Sequence, residues 1–519
     1  MDNEKTRSNG QKIKQANSKP DRSSAARDYG ALLIYGGLFL ALSVITLLRG
    51  VIFQSGNFRL FTSSLIFTIL ALFLITFVYA MCTAVSQRKS EGYNKLGVQC
   101  VCIAVAYAAS MFAHRISPYL MPTFLTAFLL APLVKRRDVF IASLFCNIMI
   151  ITTLLVELVT VGIAPASNPT SIYVSPQIIT ASVAPLVMFL VGIFSGSITA
   201  FGLTYESRRF EYILKGAAIC IASIALILSF QMIAHGIVAS IPAAGDVPAS
   251  YIPRGILFAL LWGSIAVFAQ LVLSIFLQPL FEKIFNLLTN ARLMDLTDHN
   301  FPLIKRLITE TPGTFNHALN VANFAEVCAT AIGDNPYLAR ACAYYHDIGK
   351  LSNPHFFKEN QSGENPHDAV LPEVSAEIIR NHAVSGLELC RQYRIPEEIA
   401  LVSAEHHGNM PISMFLDKAQ RLTDGEVDIK EYSYRGPTPT TKISAIIMIC
   451  DTAEAALRAE SMEAEQAEEL LTALIRQRIQ SGQFDRCDIT LSELTIIKDT
   501  ILSAYSGVYH KRLKYPEGK

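Results

Sequence analysis

The chain has 519 residues, 51% hydrophobic and 17% charged, with a mean hydropathy of +0.35, which is too apolar for a wholly soluble protein of this length. A formal net charge of +1 gives no electrostatic footprint for a polyanion, so DNA is excluded as an expected partner. The ten cysteines form no CxxC pair and fall mostly in apolar stretches, which excludes a disulfide framework and a cysteine zinc site.

Residues 1–28 are polar and mixed in charge and predict a disordered cytoplasmic arm. The first apolar run is too long for a signal-peptide core and has no small-residue cleavage site, so it is expected to stay as a helix. Runs long enough to cross a bilayer lie near 31–53, 60–82, 97–114, 139–163, 177–203, 214–238 and 255–280. A shorter segment near 119–134, between Pro118 and Lys135, makes about eight transmembrane helices over 29–280. Basic residues gather in alternate loops: Arg88, Lys89 and Lys95, then Lys135, Arg136 and Arg137, then Arg208 and Arg209. Lys and Arg accumulate on the cytoplasmic side, so the N-terminus and everything after residue 280 are expected there, provided that 119–134 crosses. Inside the runs, Glu157 and His235 read as side chains snorkelling to the outer face, and Gly192 with Gly196 as a GxxxG packing step. That pattern favours an anchoring bundle over a transport pathway, which needs more polar groups at the midplane and interrupted helices.

Residues 281–310 have apolar positions at helical spacing and predict a connector helix. From 311 to 519 the pattern predicts an all-helical domain, which makes the fold class all-α. Thr311-Pro312 and Asn335-Pro336 are helix-start signals, and Gly349 suits a helix C-cap.

This last region also holds the chemistry-bearing residues. His346-Asp347 has His317 upstream, then His382, the doublet His406-His407 and Asp451 downstream, the last in an apolar helix. An ionised Asp there is costly unless paired or metal-bound. Five imidazoles and two carboxylates suit two divalent transition metals such as iron or manganese. Asp347 is expected to bridge the ions, with His317, His346 and Asp451 at one and His382, His406 and His407 at the other. Such a pair can activate a water to attack phosphorus, and Lys350, one turn on, is placed to contact a phosphate oxygen. Tyr344, Tyr345, Phe356 and Phe357 are candidates for stacking on a base, against a plain core role.

The order His317, His346-Asp347, Asp451 resembles the H...HD...D pattern of the HD superfamily of phosphohydrolases, and His382 with His406-His407 resembles its two-metal branch. Pro312-Gly313-Thr314-Phe315-Asn316-His317, Ala343-Tyr344-Tyr345-His346-Asp347-Ile348-Gly349-Lys350, Glu359-Asn360-Gln361, Asn365-Pro366-His367-Asp368 and Tyr509-His510-Lys511-Arg512 look like the membrane-bound 7TM-HD family of cyclic di-AMP phosphodiesterases. That resemblance implies hydrolysis of cyclic di-AMP to linear pApA at the plasma (inner) membrane. The partners implied are cyclic di-AMP or a related cyclic dinucleotide and the lipid bilayer, with a homodimer left open. HD-GYP proteins acting on cyclic di-GMP have a Glu and a GYP triplet after the doublet, where this chain has Gly408-Asn409-Met410-Pro411-Ile412. Another nucleotide substrate, or a receptor that binds nucleotide without turnover, are the alternatives. Two departures stand out: Asn409 sits where the family commonly has Thr, and the loop at 54–59 is too short for the family's extracellular domain.

Overall fold

The computed structural model describes residues 22–53, 58–87, 93–162, 176–204, 209–239, 251–361, 363–422, 426–459 and 464–509. Among them every regular element is helical, apart from one isolated bridge between Pro411 and Ser433. The chain divides into two compact units, residues 1–289 and 290–519.

The first unit contains α1 (Arg22–Phe53), α2 (Phe58–Gln87), α3 (Tyr93–Ile116), the short α4 (Leu125–Leu130), α5 (Arg136–Gly162), α6 (Pro176–Gly202), α7 (Arg209–Ala239) and α8 (Tyr251–Ile284). All but α4 are long and apolar enough to cross a membrane, which gives seven such helices among the described residues and makes this a multi-pass membrane protein. Helix α1 begins inside the stretch expected to be a disordered arm; residues 1–21 lie outside the described residues.

The expected fourth helix is corrected to a broken passage. Ile103 meets Cys146, the Tyr107 and Thr153 hydroxyls lie 2.9 Å apart, and Arg115 pairs with Glu157 at 2.6 Å. Partner numbers rise together, so α3 and α5 are parallel, and residues 117–135 must travel back the length of the bundle. They do so as a 3-10 turn (Pro118–Leu120), an extended stretch and then α4. Pro118 and Pro122 account for the interruption, since each removes an N–H and biases the residue before it away from helix.

A non-helical backbone inside a bilayer survives only where protein satisfies its polar groups. Asn147 Nδ2 donates to the Thr123 carbonyl at 2.7 Å, the Phe124 N–H donates to Gln270 Oε1 at 3.1 Å, and the Tyr212 hydroxyl donates to the Phe128 carbonyl at 2.7 Å. Phe124, Leu125 and Phe128 are fully buried around these bonds. The Gly192/Gly196 step serves the same break. A Cβ on Gly192 would lie 2.3 Å from Asn147 Oδ1 and one on Gly196 would lie 2.5 Å from Ser143 Oγ, so only glycine lets α6 close over these side chains.

Gly30 of α1 lies against Tyr93, and Gly97 near the start of α3 lies against Phe285 just beyond α8. The chain therefore enters and leaves this bundle at one face. At the other end Glu157, read as snorkelling to the outer face, is ion-paired with both Arg49 and Arg115. Arg115 sits in the last turn of α3, where the helix dipole favours cations, and Arg49 lies about one turn before the end of the parallel α1. The His235 side chain lies outside the described residues.

The expected connector helix is also corrected. Helix α8 stops at Ile284, and Asn286 takes a left-handed φ of 47° while the Leu287 N–H bonds the Glu282 carbonyl at 2.9 Å. That is a Schellman-type stop, in which Asn is one of the few residues tolerant of the conformation. The second unit then begins with α9 (Asn290–Leu296) and α10 (Pro302–Glu310). It continues with α11 (Pro312–Ala331), α12 (Pro336–Tyr345), a 3-10 turn (Ile348–Ser352), α13 (Pro372–Gln392), α14 (Glu397–Glu405), α15 (Ser413–Leu422), α16 (Lys442–Ala459), α17 (Ala464–Gln480) and α18 (Leu491–Tyr509). Asn335 caps α12 by accepting from the N–H groups of Tyr337 and Leu338. Thr311 does not cap α11, because its hydroxyl donates back to the Leu307 carbonyl.

Replacing Asn147 by Ala strands the Thr123 carbonyl without its donor and is expected to destabilise the bundle by about 1–3 kcal/mol. Thermal unfolding of the detergent-solubilised protein would read this as a lowered midpoint; an unchanged midpoint would show that the break does not depend on that bond.

Candidate metal centre

Three helices and the turns that follow two others deliver the polar residues of the second unit to a common point. His317 comes from the middle of α11, His346 and Asp347 from the end of α12, and His382 from the middle of α13. His406 and His407 follow the last turn of α14, and Asp451 lies in α16. Their ligand atoms form two sets, each gathered within 4.8 Å: His317, His346, Asp347 and Asp451 in one, and Asp347, His382, His406 and His407 in the other. Asp347 belongs to both. Its Oδ2 lies 3.2 Å from His346 Nε2 and 3.6 Å from His317 Nε2, while its Oδ1 lies 3.3 Å from His382 Nε2 and 3.6 Å from His406 Nε2. Asp451 closes the first set at 3.0 Å from His317 Nε2, and its other oxygen reaches toward His407 Nδ1 at 3.8 Å.

The tautomers follow from hydrogen bonds within each helix. The Nδ1–H groups of His346, His382 and His406 donate to the carbonyls of Ala343, Ile379 and Ser403, three residues back. Each therefore turns its Nε2 toward Asp347; in the neutral ring that is a lone pair facing a carboxylate, which repels unless a proton or a metal ion stands between. Consistent with that, His346 Nε2 and Asp347 Oδ1 are buried without a hydrogen-bond partner. A donor set of imidazoles and carboxylates with buried, unspent lone pairs fits divalent metal ions.

Charge divides the two sets. Burial alone would press the His346 imidazole down, but Asp347 and Asp451 outweigh it and raise it to about 10. His317 is likewise raised, against its burial, by Asp451 and Glu454. In the second set burial dominates, holding His382 down to about 3 and His407 well below the usual imidazole range, with His406 repelling both. Burial would raise both carboxyls, but Lys350 and His346 hold Asp347 well below the usual range, and His317 and His346 do the same for Asp451.

Lys350 Nζ sits 2.7 Å from both Asp347 Oδ2 and Glu359 Oε1, so its ammonium is shared between two carboxylates at the edge of the site. Gly349 is not a C-cap, contrary to its sequence reading. A Cβ there would lie 1.8 Å from the His382 carbonyl oxygen and 2.6 Å from the Gly386 nitrogen, so glycine allows the turn after Asp347 to press onto α13. Ser403 Oγ, donating to the His346 carbonyl at 3.0 Å, ties α14 to the same crossing.

Tyr345 does not reach the site: it is fully buried and its hydroxyl donates to the Leu296 carbonyl. Tyr344 is buried against Phe315, and Phe357 packs edge-on to His382. Phe356 is half-buried against His367.

Sequence reasoning missed two groups. Glu454, one turn beyond Asp451, accepts from His317 Nδ1 at 2.6 Å and from Asn320 Nδ2 at 3.0 Å, the carboxylate–histidine arrangement that orients a metal-binding imidazole. Its helical spacing from Asp451 was the available signal. Tyr434 stacks on His407 with centroids 4.2 Å apart, in a loop segment that no sequence periodicity links to the site. Asn409 is held by Gln483 Nε2 at 2.6 Å, which fixes the turn after the histidine doublet.

Metal binding to the stripped protein is expected to release protons, because His346 must lose the proton that Asp347 and Asp451 hold on it. Apparent affinity should therefore rise as pH increases through the neutral range toward about 10. Chelator competition from mildly acidic to mildly alkaline pH measures this; a flat affinity would show that the metal-free site carries no such proton.

Residues 314–456 match the protein-family model described as HD domain. Over 328 residues the chain is 37% identical to the cyclic-di-AMP phosphodiesterase PgpH of Listeria monocytogenes, covering 63% of this chain and 44% of that protein. It is 40% identical over 260 residues to the Bacillus subtilis protein of the same name, covering 50% of this chain and 36% of that one. The chain thus spans less than half the length of these relatives. The first match is longer than the whole second unit, so the likeness extends into the apolar half. A crystal structure of the L. monocytogenes PgpH HD domain in complex with cyclic-di-AMP is 41% identical, covering 41% of this chain and all of that one, with a TM-score of 0.40. Residues 314–456 of this chain thus form an HD domain, the domain that defines the HD superfamily of phosphohydrolases.

Proposed function

We propose that this protein is a membrane-embedded phosphodiesterase that hydrolyses cyclic di-AMP to linear pApA. It would hold two divalent ions, iron or manganese, on His317, His346, Asp347, His382, His406, His407 and Asp451. The observation that carries the reading is the position of Asp347, one carboxylate facing a different ligand set with each oxygen. When bound, a pair of such ions supplies Lewis acidity to a water and to the phosphate oxygens. The protein's part is orientation and charge. The helix-bonded imidazoles keep their Nε2 atoms fixed, and Glu454 holds His317 in its tautomer. Lys350 keeps its proton because Asp347 and Glu359 flank it against its burial, which leaves a fixed positive donor where a phosphate oxygen would arrive.

Cyclic di-AMP is favoured over cyclic di-GMP by the named activity of the two relatives and by the residues after the doublet, Gly408 to Ile412. With Tyr344 and Tyr345 committed to the core, Phe356 is the candidate for base contact. Helix α8 leaves the bundle at the face on which Lys95, Arg136, Arg137 and Arg209 gather at helix starts. We read that face as cytoplasmic, since basic residues accumulate on that side.

The purified full chain, supplied with manganese, is expected to convert cyclic di-AMP to pApA in preference to cyclic di-GMP and guanosine tetraphosphate, and Asp347→Asn to abolish turnover with helical content retained. Undiminished turnover in that variant would remove the site from the chemistry, and preference for another nucleotide would replace the substrate. Fluorescent-protein and alkaline-phosphatase fusions after Lys519 should be bright and inactive respectively; the reverse pattern would put the domain outside.

A further inference from the structure

Tyr434 lies in the stretch between α15 and α16, and its backbone is tightly held. The Tyr434 N–H donates to the Met410 carbonyl at 2.9 Å, and the Ile412 N–H donates to the Tyr432 carbonyl at 2.6 Å. The buried Arg380 donates to the Glu431 carbonyl at 2.9 Å from the other side. This fixes the ring flat on His407, with planes 27° apart, and edge-on to His382 at 6.0 Å. His407 is the most open of the seven site residues, its side chain 23% exposed, so the ring stands at the mouth of the cleft.

The hydroxyl is what the packing leaves unexplained. Buried tyrosines elsewhere in this chain spend theirs on a protein acceptor: Tyr345 on Leu296, Tyr432 on Glu373 and Tyr212 on Phe128. Among the described residues the Tyr434 hydroxyl makes no hydrogen bond, although it feels the charges of Lys350, Asp347 and Asp451 together. Tyr434 is half-buried, so this phenol O–H keeps its one proton to give to a group that enters the site. Here the ring lies flat on one metal-site imidazole and edge-on to another, and the hydroxyl it carries is committed to no protein group.

Building on the phosphodiesterase reading, we propose that Tyr434 is a catalytic residue: its hydroxyl donates a hydrogen bond to a non-bridging oxygen of the scissile phosphate, while its ring holds His407 in its binding orientation. The proton stays on the phenol throughout, and no bond to Tyr434 forms or breaks. Its effect grows as negative charge builds on the phosphate oxygen, so it acts on the rate more than on substrate binding. The two parts of the side chain thus have separable duties, the ring toward the metal ligand and the hydroxyl toward the substrate.

Two variants of the full chain separate them. Tyr434→Phe keeps the stack and is expected to retain manganese stoichiometry and the KM for cyclic di-AMP while kcat falls by about 10²-fold, the order seen when one such donor is removed. Tyr434→Leu removes the stack as well and is expected to lower manganese affinity. Binding of a non-hydrolysable phosphorothioate analogue should weaken only a few-fold in Tyr434→Phe. Wild-type turnover is measured first: if it is absent on cyclic di-AMP, the underlying functional reading fails. If it is present and Tyr434→Phe matches it in kcat, the present inference alone fails. Loss of metal from Tyr434→Phe would also overturn it, since the hydroxyl would then be structural.

Discussion

The second unit is organised around one carboxylate. Asp347 is fully enclosed, and burying an ionised carboxyl without compensation is among the most expensive things a fold can do. Each oxygen has its own compensation: the His346 and His317 side faces Oδ2, the His382 and His406 side faces Oδ1, and Lys350 joins from the edge. Helices α11, α12, α13 and α14 therefore have a shared electrostatic reason to converge, beyond the burial of their apolar faces. Glu454 and Ser403 extend that reason outward by fixing a ring and a backbone carbonyl.

The bundle solves a comparable problem by different means. There the exposed liability is backbone at the break near Thr123 and Phe124, and amide side chains rather than charges cover it. Asn147 and Gln270 take the place that water would have in a soluble protein. The ionised groups, Arg49, Arg115 and Glu157, are kept to the helix ends. The polar sleeve around the interrupted passage was not legible in hydropathy, which marks 119–134 only as a short apolar segment.

What the sequence disclosed followed the strength of the physical signal. Long apolar runs marked seven helices because a bilayer-length stretch has few alternatives. The metal-type residues were legible because imidazoles and an Asp inside apolar helices demand an explanation. Boundaries governed by one residue were not. Asn286 ends α8 through a left-handed backbone conformation that the apolar pattern around it does not announce, and Thr311 turned its hydroxyl backward instead of capping. Gly349 was recognised as special for the wrong reason, since only the approach of α13 shows why a side chain is forbidden. Tyr345 illustrates the converse error: adjacency to the His-Asp pair along the chain placed it near the site, but the helix turns its ring into the core. Tyr434 could not be found at all without the tertiary fold, because its loop approaches His407 from more than twenty residues away.

The crossing at Gly349 has a thermodynamic consequence. With the turn after Asp347 pressed against α13 at backbone contact, the carboxylate shared by both ligand sets and the His382 imidazole of the second cannot drift apart without separating two packed segments. Little conformational entropy then remains to be lost when ions arrive. Exchange of one divalent ion for another becomes a contest of ligand preference and proton release on a framework already assembled, in contrast to small metal domains whose folding is itself the binding event.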